Sequence, residues 1–186
     1  MLIDLVQTLA QSEALSGVRD VFAHEACTGS VTQQWVSGAR GTGKSLLAAA
    51  LVRARQAASP ARVHFILTPS QERAETLFAD LTALMGAQAD LPLVLCPSLE
   101  MLLFEETSPD VQLVRERMIV LSRLAAGQPM VLIATPDAAL HRTLPPDALR
   151  AGVRTLRAGE EAEPAALAHW LAARGYTREG LVEQPG

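Results

Sequence analysis

A chain of 186 residues, 49% of them hydrophobic and 19% charged, holds enough apolar material for a core and too little charge for a disordered tract, but is too short for a complete two-lobed helicase motor. The net charge of -4 disfavours a domain whose main work is coating nucleic acid, while leaving room for a local basic groove inside a larger assembly. Aromatics make up 4%, so the core has to be aliphatic, and the sixteen basic residues include a single lysine, Lys44.

From the N-terminus, Leu2, Leu5, Val6, Leu9 and Leu15 recur at helical spacing and predict a short amphipathic helix over residues 1–16. This opening carries Asp4 and lacks both a basic leader and a small-residue cleavage pattern, so it does not read as a signal peptide. After a polar stretch, QWVS at 34–37 predicts a short strand, 38–43 a glycine-rich turn, and 44–56 a helix. RVHFILTPS at 62–70 predicts a strand entering a helix, with Thr68 as cap, Pro69 at the first helical position and Gln71 two residues on. That helix carries Ala74, Leu77, Phe78, Leu81 and Leu84 on one face.

LPLVLCPS at 91–98 predicts the next strand. Ser108 and Pro109 then introduce a helix to about Ala126 with an inward stripe of Val111, Val114, Met118, Leu121 and Ala125, ended by Gly127. VLIATPD at 131–137 repeats the strand, threonine, proline pattern. HRTLPPD at 141–147 is a connector, VRTLRAG at 153–159 a candidate strand, and 163–176 a helix with Leu167, Trp170 and Leu171 inward. Aliphatic strands alternating with amphipathic helices imply an α/β fold: a mostly parallel sheet with helices on both faces. Residues 1–150 read as one such domain and 151–186 as the opening part of another unit, since about 35 residues are short for an independent domain.

The chemistry concentrates in Gly38-Ala39-Arg40-Gly41-Thr42-Gly43-Lys44-Ser45, which matches the phosphate-loop pattern G-x-x-x-x-G-K-[ST]. Gly38, Gly41, Thr42 and Gly43 would wrap backbone N–H groups around phosphate oxygens. Lys44 would reach the outer phosphates of ATP, and Ser45 would give an oxygen to Mg²⁺. Hydrolysis also needs an acidic residue at the end of another strand, and no four-apolar-plus-Asp segment occurs. Asp137 and Glu100 come nearest, each displaced beyond a proline and each readable as a helix-start carboxylate. The pattern supports nucleotide binding rather than self-sufficient hydrolysis, and no residue is assigned as catalytic.

Other constellations are thin. His24 and Cys27 have ligand-like spacing without a second pair, His64 and His169 fit structural or surface roles, and Cys27 and Cys96 suit a reduced, cytoplasmic chain. Arg115, Arg117 and Arg123 with Glu116 read as a solvated helix face, and the arginines from Arg150 to Arg178 hint at a contact surface diluted by glutamates. No apolar run approaches the roughly 18 residues of a membrane span.

The loop at 38–45, VHFILTPSQERAETLFADL, and CPSLEMLLFEETSPDVQLVRERMIVLSRLAAG followed by VLIATPDAAL, in this order, resemble the N-terminal UvrB-like region of bacterial transcription-repair coupling factors. The ending from Leu156 resembles the start of the module through which those factors, and the excision-repair protein UvrB, meet UvrA. The resemblance implies a P-loop NTPase-like, helicase-lobe-like domain followed by a truncated UvrA-interaction-like one. It implies a cytoplasmic DNA repair role: recruiting UvrA to stalled RNA polymerase, with polymerase and double-stranded DNA engaged by an ATP-dependent translocase in the remainder of the protein. Tyr176 and Arg178 fall in the matching stretch and are the partner-binding candidates. Family loops at this position are typically degenerate and do not bind nucleotide, whereas Gly43, Lys44 and Ser45 are intact here. A fragment of a UvrB-type ATP-dependent DNA repair helicase is the alternative, and an unrelated small P-loop NTPase or kinase is disfavoured by the missing acidic residue.

Overall fold

The computed structural model describes residues 2–21, 33–86, 91–99 and 110–180. In chain order the elements are α1 (Leu2–Gln11), a 3₁₀ turn (Glu13–Leu15), α2 (Gly43–Ala58), β1 (Val63–Leu67), α3 (Gln71–Met85), β2 (Leu93–Leu95), α4 (Val111–Ala125), β3 (Met130–Ala134), α5 (Pro136–Leu140), α6 (Pro146–Gly152) and α7 (Pro164–Ala172). The strands form one all-parallel sheet of order β1-β3-β2, with Val63 opposite Met130, Leu67 opposite Ala134 and Leu95 opposite Ile133.

All five residues of β3 are buried because it has neighbours on both edges and helices on both faces. The pleat sends Val131 and Ile133 to a core shared with Val6, Ala49, Val52, Ala74, Leu81 and Met85 of α1 to α3. Met130, Leu132 and Ala134 face the other way, against Val94, Cys96, Val120 of α4 and Ala138 of α5. This is the α/β architecture with two covered faces that the strand and helix patterning predicts. The covering is incomplete over β1, whose Val63, Phe65 and Leu67 stay exposed.

Several local expectations change. Neither 34–37 nor 153–159 forms a strand; both run as irregular, exposed chain, with Trp35 88% exposed. Each offers only two large apolar residues and finds no ladder partner among the described residues, so ordering it into the sheet would bury too little to offset the entropy lost. The cap of α3 is Ser70, whose Oγ accepts from the Arg73 N–H, while Thr68 is buried and donates to carbonyls at Ser70 and Ala134. In α4 the inward residues are Arg117 and Val120, with Val111 65% exposed, so the buried stripe is rotated from the predicted one. Asp110 caps that helix through the Gln112 N–H, and Gly127 at φ +68° ends it. Ser108, Pro109, His24, Cys27 and Glu100 lie outside the described residues.

Candidate functional site

Residues 33–42 approach α2 as exposed chain except for half-buried Ala39, and Gly38 (φ +93°) and Gly41 (φ +53°) take the left-handed turns that favour glycine. The turn closes on itself. The N–H of Gly43 donates to the Arg40 carbonyl at 3.0 Å and that of Lys44 to the Gly41 carbonyl at 3.1 Å. Thr42 occupies the N-cap position without a side-chain cap bond, and the first turn of α2 has no acidic residue. The positive end of a sixteen-residue helix therefore opens beside an exposed Lys44. Ser45 turns inward: it is 6% exposed, and its Oγ donates to Oδ2 of Asp80 on α3 at 2.5 Å.

Asp80 has no sequence signal. It lies 35 residues from Ser45, in the middle of a helix, and only the packing of α2 on α3 brings the two together. Asp137 instead sits in the first turn of α5 and accepts from Ser98 Oγ, tying the segments that follow β2 and β3. Its neighbour Thr135 caps α5 through the Ala138 N–H. Among the described residues no group of three or more His, Cys, Asp or Glu side chains is placed to hold a metal ion.

Tyr176 and Arg178 share a groove of about 570 Å³ with Pro164, Ala168 and Leu171 of the α7 region. No residue of α7 is fully buried. Its attachment to the preceding segment includes Arg174, whose guanidinium stacks 3.8 Å from the Trp170 ring centre and donates to the Ala151 carbonyl at 3.0 Å. Arg174 is thereby occupied by contacts within the chain, whereas Tyr176 is 54% exposed.

On the opposite sheet face, a groove of about 450 Å³ is lined by Phe65, Cys96, Arg117, Leu121 and His141. Arg117, expected on a solvated face, is 4% exposed; it donates to the Cys96 sulfur at 3.5 Å and to carbonyls of Pro97 and His141 at 3.4 Å. Arg117 is inside because it falls on the side of α4 that meets the sheet beside Val120. Burial pushes the Cys96 thiol above its ordinary value, and the Arg117 charge opposes that rise.

Fold and loop together define an open parallel α/β domain carrying a phosphate-loop sequence at the start of a helix. No protein-family model matches the chain. The transcription-repair-coupling factor of Bacillus subtilis (strain 168) is 30% identical over 155 residues, which is 83% of this chain and 12% of that protein. That of Myxococcus xanthus is 36% identical over 120 residues, 62% of this chain and 10% of the relative. The chain belongs to the transcription-repair-coupling factor family, in its N-terminal region. It spans about a tenth of the length of these relatives. No helix among the described residues is long and apolar enough to cross a membrane.

Proposed function

We propose that this chain is the recruiting end of a transcription-repair coupling factor, bringing UvrA to stalled RNA polymerase. Contacts with polymerase and double-stranded DNA, and any ATP-driven translocation, belong to the remainder of the longer protein. The observation that carries this reading is the likeness to a coupling factor over 83% of the chain. The exposed Tyr176 and Arg178 beside α7 are its contact residues for UvrA. Tyrosine and arginine are among the residue types enriched at the energetic centres of protein interfaces.

In the same proposal the loop 38–45 binds the phosphates of ATP through the backbone of Gly38, Gly41, Thr42 and Gly43 and through Lys44, with Ser45 on the Mg²⁺ side. It does so without turnover in this chain. Lys44 supports this reading, as a compact exposed ammonium at the positive end of α2.

Purified UvrA binding to the full-length protein tests the first part. Replacing Tyr176 and Arg178 with alanine is expected to weaken binding by at least about tenfold, and wild-type affinity in the double variant would remove these residues from the interface. Titration with labelled ATP, with and without Mg²⁺, tests the second part. Weak binding lost in Lys44→Ala, with negligible turnover, is the expected result, and saturable turnover would defeat it.

A further inference from the structure

We infer that Asp80 is a built-in competitor for the phosphate loop: its carboxylate engages Ser45 in the first turn of α2 and has to give way for a phosphate to bind. The inference rests on reading residues 38–45 as a phosphate loop and concerns how that loop is held closed.

Three observations converge on it. The Ser45 hydroxyl is buried and donates to Asp80 at 2.5 Å, so the oxygen expected to serve Mg²⁺ is already engaged with an anion. The N–H groups of Gly43 and Lys44, which would cradle a phosphate, donate to the carbonyls of Arg40 and Gly41. Finally, α2 carries no acid in its own first turn and no side-chain cap bond, and that turn holds the cation Lys44. A helix beginning this way is stabilised by a negative charge from outside it. Asp80 brings one from α3, set against Ser45 in that first turn. A phosphate arriving at the loop meets like-charge repulsion and a helix start whose donors are already in use.

Inorganic pyrophosphate in Mg²⁺-free buffer is the probe, because it reads the loop's anion affinity apart from metal binding. Asp80→Asn keeps the shape of the side chain and removes its charge. Asp80→Ala removes both and favours the helix, so it serves if asparagine disturbs the packing. Both variants should bind pyrophosphate about tenfold more tightly than wild type, and Lys44→Ala added to either should abolish the gain. In a Ser45→Ala background the effect of Asp80→Asn should shrink, since the hydrogen bond that holds the carboxylate against the helix start is already gone, while its remaining charge keeps part of the effect. Equal, Lys44-dependent binding by wild type and Asp80→Asn would overturn the inference and leave the phosphate-loop reading standing. Weaker binding by Asp80→Asn would overturn it as well. Absence of binding in every variant would overturn both.

Discussion

His64 on β1 and Arg117 on α4 are both governed by desolvation. Nε2 of His64 is buried without a hydrogen-bond partner among the described residues. Burial holds the imidazole below its ordinary value of 6.5, and the charge of Arg55 adds to the effect. The folded state therefore favours neutral His64. Its contribution to stability is complete above about pH 6.5, where the unfolded chain is also neutral. It is lost as the pH falls from there toward the lower folded value, because only the unfolded chain then takes up the proton. Urea midpoints measured from pH 7.5 down to pH 5 should fall more steeply for wild type than for His64→Gln; parallel curves would show that His64 is solvated. Arg117 is held by three neutral acceptors. Neither environment is visible in the sequence. His64 lies in an apolar strand and Arg117 in a helix rich in charge, and the three-dimensional neighbours of each decide its burial.

At the level of single elements, the two Thr-Pro segments show how far sequence pattern carries. Thr68-Pro69 and Thr135-Pro136 follow β1 and β3 in the same way. Thr135 caps α5 with proline at the first helical turn, as the pattern predicts. After β1 the helix starts later, and Ser70 becomes the cap, because Thr68 is drawn into the continuation of the ladder by its N–H bond to the Ala134 carbonyl at 2.9 Å. Ser70→Ala and Thr135→Ala should each cost about 1 kcal/mol, with Thr68→Ala measured alongside by chemical denaturation. No change in Ser70→Ala would mean that water replaces the cap. The helix α4 teaches a related lesson. Its length and glycine stop are readable from spacing, but its inward side is set by the sheet it rests on, and a rotation of roughly one residue brings Arg117 inward and leaves Val111 out.

Across the whole molecule, stability is unevenly distributed about the sheet. Ile133 is fully buried at its centre, whereas Phe65 on β1 is 51% exposed and belongs to a strand with one ladder neighbour among the described residues. Ile133→Ala should cost about 2–5 kcal/mol. Phe65→Lys should change stability by less than about 0.5 kcal/mol and reduce concentration-dependent self-association seen by light scattering, because a charge on an exposed edge strand opposes pairing with another chain. A large loss of stability in Phe65→Lys would show that β1 is covered in solution.

The sequence by itself determined the alternation of strands and helices, the parallel sheet with two covered faces and the position of the phosphate-loop motif, because each depends on periodicity or on fixed spacing within a short stretch. It also carried the family likeness, since order and spacing survive where individual residues differ. Only the tertiary structure decided that residues 34–37 and 153–159 stay out of the sheet, that Arg117 is inside, and that Asp80 meets Ser45. These depend on ladder partners, on the rotation of a helix against its neighbour and on a contact across 35 residues of chain, none of which a local pattern encodes.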